Sequence, residues 1–160
     1  MDNIINYSEN AQQNLLDMRY GMRVDRAAAI IPQTTTTNYF TIANGNVLVT
    51  FFYGLVTVSI GSATNLAFLH TPTTGTAAAI GADLAVGDFA DGDVITVTGI
   101  VAGACVPATH AGSVMTMSHK GIIMTPGVIT ADCDGSSTTG TMSWHLFYVP
   151  LEDGAIVTAA

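Results

Sequence analysis

The chain has 160 residues, of which 49% are hydrophobic and only 10% are charged, with a formal net charge of −8 at pH 7. Its length is enough for one domain with its own hydrophobic core. The shortage of Lys and Arg argues against nucleic-acid binding by the folded body, because phosphate binding depends on those cations. No apolar run approaches the roughly 20 residues of a membrane-spanning helix.

The N-terminal residues 1–26 hold three of the four basic residues of the chain. They lack the basic and apolar regions of a secretory signal, so we predict assembly in a cytoplasm. In that compartment Cys105 and Cys133 are expected to be buried thiols rather than a disulfide. We predict an arm over residues 1–26 and a domain over residues 27–160. For the arm, a short helix near residues 9–20 and an extended segment that orders on binding are both open.

After the arm, apolar and polar side chains alternate with a period of two, which is typical of half-buried antiparallel strands. In residues 47–60, VLVTFFYGLVTVSI, the apolar residues occupy odd positions before Gly54 and even positions after it. A β-bulge changes this parity, and glycine often marks one. We therefore predict one long strand that bends at Gly54, and this interpretation places Phe51 in the core.

Three later segments alternate in the same way: residues 93–101 (DVITVTGIV), 129–133 (ITADC) and 142–148 (MSWHLFY). We expect Ile95 of the first segment and Trp144 of the last segment to lie in the core. Each segment is short enough to be a single strand, so the domain consists of many short strands rather than a few long ones.

Turn-forming dipeptides separate the strands. They are Asn44-Gly45, Asp91-Gly92, Pro126-Gly127 and Asp134-Gly135. Asn44-Gly45 between two apolar runs predicts a hairpin. Residues 76–84, TAAAIGADL, are the one body segment for which a helix and a loop are both open. Short strands with frequent turns predict an all-β fold, an antiparallel β-sandwich or jelly roll with about eight to ten strands.

Candidate catalytic and metal-binding residues lack the spacing that their chemistry needs. None of the histidines has another histidine two or four positions away; they are His70, His110, His119 and His145. Asp88, Asp91 and Asp93 form the best acidic cluster, but they do not follow the EF-hand pattern, and a solvated turn is the favoured interpretation. Motifs for a nucleophile or a phosphate loop are also missing. We predict a non-enzymatic protein without cofactor or metal.

The arm is the candidate partner-binding segment. The residues assigned to this role are Leu15, Leu16, Met18, Arg19, Tyr20, Met22, Arg23 and Arg26. Their spacing places the three arginines on one face of a helix. Three interpretations stay open for these cations: salt bridges with Asp17 and Asp25 on a solvated face, docking on an acidic surface of another protein, and contact with the acidic body of a neighbouring copy. We expect residues 1–26 to lie outside the sandwich.

Two stretches resemble small proteins that are encoded in the structural-gene blocks of tailed bacteriophages. The first is RAAAIIPQTTTTNYFTIANGNVLV at residues 26–49, and the second is the end of the chain, residues 128–160. The second contains the pattern W-x-L-x-Y-x-P-L-x-D-G before a tail of small residues. That pattern consists of Trp144, Leu146, Tyr148, Pro150, Leu151, Asp153 and Gly154. The resemblance covers most of residues 26–160 and does not include the arm.

This resemblance implies a virion protein, and the commonest role for a short β-sandwich of this kind is capsid decoration, also called cement. The implied partners are the major capsid protein and other copies of the chain in a homotrimer, on the capsid surface, after assembly in the host cytoplasm. The alternative is a head-fibre or tail-fibre domain that binds host carbohydrate through exposed aromatic residues and an acidic pocket. The presence of an arm favours decoration, because a cement protein needs a segment that engages the capsid lattice.

Overall fold

The computed structural model describes residues 19–61, 64–99, 106–108, 121–135 and 139–160. These ranges contain twelve strands and confirm the predicted all-β class. The strands are β1 (Met22–Ile30), β2 (Thr36–Ala43), β3 (Val47–Val58), β4 (Asn65–Pro72), β5 (Ala78–Ala79), β6 (Leu84–Ala85), β7 (Val94–Thr96), β8 (Val106–Ala108), β9 (Ile122–Met124), β10 (Gly127–Cys133), β11 (Thr141–Pro150) and β12 (Ile156–Ala159).

The strands form two six-stranded antiparallel sheets that pack as a β-sandwich. Sheet A has the order β1-β11-β3-β7-β8, and β9 also pairs with β3. Sheet B has the order β12-β2-β10-β4-β5, and β6 also pairs with β4. Strands β1 and β12 contact each other at one edge of the sandwich. The short strands β5 and β6 of sheet B, with β7 and β8 of sheet A, lie towards the opposite edge.

The core lies between the sheets and is centred on Trp144. This side chain is fully buried, and its ring lies edge-on to Phe68 at 4.7 Å and to Tyr39 at 5.9 Å between ring centroids. Every second residue of β11 from Met142 to Tyr148 is buried in the same way, as the alternation predicts. Ile95 is also fully buried. The predicted core positions of Trp144 and Ile95 are therefore confirmed.

The long strand β3 changes its parity before Gly54 and not at it. The register against β11 slips by one residue at Thr50, which is the bulged position. As a result Phe52 is fully buried, whereas Phe51 is half-buried on the outer side of sheet A, so the predicted core position of Phe51 is wrong. Gly54 has a different role: a Cβ atom there would lie 2.6 Å from the Trp144 ring.

Two predicted connections also differ from the structure. Asn44-Gly45 does not close a hairpin, because β2 belongs to sheet B and β3 to sheet A. Both residues have positive φ and lead the chain from one sheet to the other. Residues 76–84 form neither a helix nor a plain loop, because they contain β5 and lead directly into β6. In β7, Ile95 and Thr96 are both buried, so this strand is not half-buried as predicted.

The first strand starts at Met22, five residues before the predicted start of the domain at residue 27. Strand β1 pairs with β11 from Met22 to Ile30 and forms the edge of sheet A. Extended backbone places Arg23 and Arg26 on opposite faces, so these two arginines do not share a helical face. Long-range pairing with β11 outweighs a helical spacing that is only a local preference. Residues 1–18, with most of the predicted helix, lie outside the described residues.

Candidate protein-binding face on sheet A

Gly21 turns the chain from the start of β1 onto the outer face of sheet A. Its φ is +86°, and a Cβ atom at this position would overlap the backbone carbonyl of Tyr148 on β11. Glycine alone tolerates both conditions. The carbonyl of Tyr20 then accepts a hydrogen bond from the Thr50 hydroxyl on β3. Tyr20 therefore lies over the sheet face, two strands away from the edge.

Five rings meet on this face, and we call them the outer-face cluster. Its members are Tyr20, Phe51, Tyr53, His145 and Phe147. Phe51 lies opposite Phe147, and Tyr53 lies opposite His145, in the register between β3 and β11. The Tyr53 ring centroid is 5.3 Å from that of Phe51 and 4.6 Å from that of His145. Such cross-strand ring pairs contribute about 0.2–1 kcal/mol each to sheet stability.

A network of hydrogen bonds borders the cluster on the β1 side. Oδ1 of Asp25 lies 2.6 Å from Nδ1 of His145 and 2.6 Å from Nε of Arg23. Because the carboxylate only accepts, Nδ1 of His145 carries a proton and cannot accept one from Nη2 of Arg23, which lies 3.1 Å away. In the neutral ring, Nε2 is then the acceptor for the Ser143 hydroxyl at 3.4 Å.

This network keeps Asp25 ionised. Burial alone would raise the pKa of Asp25, but the hydrogen bonds and charges of His145 and Arg23 outweigh it and lower the pKa. The side chains of Arg23 and Asp25 are 42% and 53% exposed, so water screens the pair and it adds little to stability. Burial raises the pKa of Tyr53, so its hydroxyl stays neutral. The face therefore presents rings, a neutral hydroxyl and a small group of charges.

The predicted partner-binding residues fall in different places. Three of them lie outside the described residues: Leu15, Leu16 and Met18. Arg19 lies beside Tyr20, with its guanidinium carbon 5.2 Å from the ring centroid. Arg23 shares the outer face with both of them, and Met22 is 43% exposed at the start of β1. The structure thus brings Arg19, Tyr20 and Arg23 together.

Arg26 differs from the other two arginines because it points between the sheets. Its guanidinium lies 4.0 Å over the Tyr39 ring, within the range of cation–π contacts. Its Nε and Nη1 atoms are buried and have no hydrogen-bond partner in the part of the chain that the structure describes. Burial raises the pKa of Tyr39 to about 12, against the opposing effect of the Arg26 charge. Arg26 therefore covers the core and is not part of the outer face.

The sequence pattern predicts Phe51 in the core and favours core and interface for the Phe51-Phe52-Tyr53 run, but it does not predict the outer-face cluster as a set. The signal that could have found it lies in β11. There His145 and Phe147 alternate with the core residues Trp144 and Leu146, so the strand carries large side chains on both faces. A two-layer sandwich needs apolar side chains on only one face of each sheet. Large side chains on both faces of one strand are therefore the sequence signal for a ring cluster outside the core.

The other candidate residues do not combine into a chemical site within the described ranges. Asp91 lies in a turn, and the carboxylate of Asp93 accepts a hydrogen bond from the Ala90 amide. No three His, Cys, Asp or Glu side chains of the described residues are close enough to hold a metal ion. His70 is half-buried and bonded to a backbone carbonyl, and Cys133 is a buried free thiol. The remaining candidates lie outside the described residues: His110, His119 and Cys105.

The chain matches none of the protein-family models, curated proteins or solved structures with which it was compared. Among the described residues, no helix has the length and apolar character needed to cross a membrane. The geometry and composition of the outer face are therefore the main guide to function.

Proposed function

We propose that this chain is a structural protein of a tailed-bacteriophage virion, a capsid decoration protein that binds between capsid subunits. The main support for this proposal is the outer-face cluster. Aromatic residues and arginine are enriched in protein–protein interfaces, whereas Lys and Glu are depleted. The outer face of sheet A has this composition, with five rings beside Arg19 and Arg23.

The low charge of the chain supports the same function. Only four of the 160 residues are Lys or Arg, whereas soluble proteins that avoid one another carry many charges of both signs. A protein that is surrounded by other protein copies does not need such a surface. The resemblance of residues 26–49 and 128–160 to proteins of phage structural-gene blocks agrees with this function. The proposed partners are the major capsid protein and other copies of the chain.

The ring geometry favours a protein partner over a carbohydrate. Sugars bind over open ring faces. The Tyr53 ring is tilted by only 27° from Phe51 and 34° from His145, at centroid distances of 5.3 Å and 4.6 Å, so part of its ring surface already contacts other rings of the protein. The fibre-domain alternative therefore has weaker support than capsid decoration.

Co-sedimentation with capsid shells tests the proposal. The shells are assembled from the major capsid protein encoded in the same genome, and the full-length protein is added at increasing concentration. We expect saturable binding with a fixed copy ratio. A chain with Phe51→Ser and Tyr53→Ser should bind far more weakly. The matched control has Val58→Ser and Leu151→Ser, which change two exposed apolar residues outside the cluster, and should bind normally.

Urea unfolding of each variant separates loss of binding from loss of fold. The proposal is overturned if the unmodified protein does not bind the shells, or if both double variants lose binding equally while folded. Binding to a glycan array that is lost in the Tyr53→Ser chain would instead support the fibre-domain alternative.

A further inference from the structure

Among the described residues, one edge of the sandwich carries exposed arginines and the opposite edge carries exposed carboxylates. Arg19 and Arg23 are exposed near β1, on the outer face of sheet A. At the opposite edge, the chain around β6 and before β7 carries Asp83, Asp88 and Asp91, which are all exposed. Strands β1 and β7 are three positions apart in sheet A, which corresponds to about 14 Å at the usual strand spacing.

The acidic edge is held in a defined shape. Residues 86–93 connect sheet B to sheet A and are bonded to β3 and the residues after it. The Ile60 amide donates to the Phe89 carbonyl at 2.9 Å, and the Gly92 amide donates to the Val56 carbonyl at 2.9 Å. Exposed alanines lie on the two short strands of this edge: Ala85 of β6 pairs with Asn65 of β4, and Ala78 of β5 pairs with His70, so the two alanines point to opposite faces of sheet B. At this edge Ala85 and Asp88 line one shallow cleft, so a carboxylate and a small apolar side chain lie side by side.

We propose that copies of this chain associate head to tail, with the outer-face cluster of one copy against the acidic edge of the next. The rings pack against Ala85 and the cleft that it lines, while Arg19 and Arg23 face the carboxylates of Asp83 and Asp88. This inference rests on the proposed function and names the partner of the face as a neighbouring copy, so that binding to capsid shells depends on the cluster through the assembly of copies that it holds together. Contacts between unlike surfaces generate a ring of at least three copies where the rotation between copies closes, and an open filament where it does not.

Charge argues against two copies that meet face to face. That arrangement would bring Arg19 and Arg23 of both copies together. Among the described residues of this face, Asp25 supplies the carboxylate, and it is already bonded to Arg23 and His145. Two acidic edges would repel each other for the same reason. Opposite charges come together only where the outer face of one copy contacts the acidic edge of another.

Sedimentation velocity of the full-length protein tests the inference. We expect an oligomer at about 0.1 M salt that weakens at about 1 M salt, where the screening length falls from about 10 Å to about 3 Å. A face variant with Arg19→Glu and Arg23→Glu should associate about tenfold more weakly or worse. An edge variant with Asp83→Arg and Asp88→Arg should lose association to the same extent.

The chain that carries all four substitutions gives the sharpest result. Its charges are reversed on both surfaces, so face and edge attract again and association should return. The matched control, Glu152→Arg with Asp153→Arg, makes the same charge change at the exposed turn before β12 and should associate normally. If a reversed chain does not fold by circular dichroism, Arg23→Gln and Asp88→Asn provide neutral versions, which should associate more weakly and with less dependence on salt.

The inference is overturned if the full-length protein is a monomer at every salt concentration. It is also overturned if the chain with four substitutions stays dissociated while folded, or if the control loses association as much as the face variant does. A monomer that still binds capsid shells through the outer-face cluster would assign this face to the capsid and would leave the proposed function intact.

Discussion

At the scale of single residues, position 54 requires glycine because the Trp144 ring occupies the space of a side chain there. Gly54 lies opposite Trp144 in the register between β3 and β11, and a Cβ atom there would meet three ring carbons at 2.6–2.7 Å. Glycine inside a strand usually costs about 0.5–1 kcal/mol relative to alanine. At this position the missing side chain is what allows the indole ring to fill the core.

We therefore expect Gly54→Ala to lower the free energy of unfolding by about 1–3 kcal/mol, as overpacking of a core does. Trp144→Ala should cost about 3–5 kcal/mol. Urea denaturation measures both. The matched control is Gly61→Ala, where the added Cβ meets only the Thr139 hydroxyl at 3.3 Å, and its effect should be small. A Gly54→Ala chain as stable as the unmodified chain would contradict this packing.

The thiol of Cys133 provides a second test at this scale. Burial, followed by the charges of Asp132 and Asp134, raises the pKa of Cys133 to about 12. The thiolate is the reactive form, so iodoacetamide should not modify the folded chain at mildly alkaline pH. The measurement uses a chain with Cys105→Ser, and the same chain in urea should react quickly. Rapid modification without denaturant would show that Cys133 is accessible.

The same pKa shift has a consequence for stability. As pH rises from 9.0 towards about 12, the thiol ionises in the unfolded chain but not in the folded one. The folded state then binds more protons than the unfolded state, so this group makes the free energy of unfolding fall with rising pH in that window.

At the scale of elements, β11 could be predicted from sequence and β3 only in part. The alternation of β11 correctly predicts its core residues Met142, Trp144, Leu146 and Tyr148, although Phe147 on the outer side is buried as well. In β3 the parity changes at Thr50, whose hydroxyl donates to the carbonyl of Tyr20 and lies 3.3 Å from that of Phe147. Both carbonyls belong to residues that are distant in the sequence, so no local pattern marks the bulge at Thr50. Gly54 is visible as a glycine inside a strand, but its cause is the space that the Trp144 ring occupies.

Two phenylalanine substitutions test the position of this bulge. Phe52→Ala should cost about 3–5 kcal/mol because Phe52 is fully buried. Phe51→Ala should cost clearly less, because its ring is half-buried on the outer face. The two free energies of unfolding are compared by urea denaturation. The reverse order would place the bulge at Gly54 after all.

The turn at Gly21 is a second element that can be tested. In the Gly21→Ala chain the alanine has to adopt the strained positive φ of this position, and its Cβ atom overlaps the carbonyl of Tyr148. Gly154→Ala is its control, because Gly154 also has positive φ, +80°, but an added Cβ meets no atom within 4 Å. We expect the control to cost about 1–2 kcal/mol from strain alone. The Gly21→Ala chain should cost more and should also bind capsid shells more weakly, because Tyr20 leaves the cluster.

Equal costs for these two substitutions, with unchanged shell binding, would mean that Tyr20 does not need this turn. Thermal unfolding gives the stability difference, and co-sedimentation gives the binding.

At the scale of the whole molecule, the sequence predicts the sandwich class but not which strands share a sheet. Strands β2 and β3 follow each other in the chain, yet β2 pairs with β10 and β12, and β3 pairs with β7, β9 and β11. The alternation of apolar and polar residues indicates that a strand has a buried face, but it does not indicate which strand it pairs with. The turn Asn44-Gly45 was therefore interpreted as a hairpin although it joins the two sheets.

The candidate site was predicted in part for a related reason. The unequal distribution of charge indicates the arginines near residues 19–26 as partner-binding residues, and Arg19 and Arg23 do lie on the outer face. The rings of that face come from β3 and β11, which are far apart in sequence. Their combination follows from strand pairing, which no single segment of the sequence encodes.

Hydroxyl-radical footprinting in intact virus particles is the most direct test that the outer face of sheet A docks against other protein chains. Oxidation is compared between particles and the free protein at high salt. We expect Tyr20, Phe51 and Tyr53 to be oxidised several-fold more slowly in particles, while Ile156 on sheet B, 42% exposed, reacts at the same rate in both. Equal oxidation of the three rings in both samples, or the absence of this chain from the particles, would contradict a docking function for the outer-face cluster.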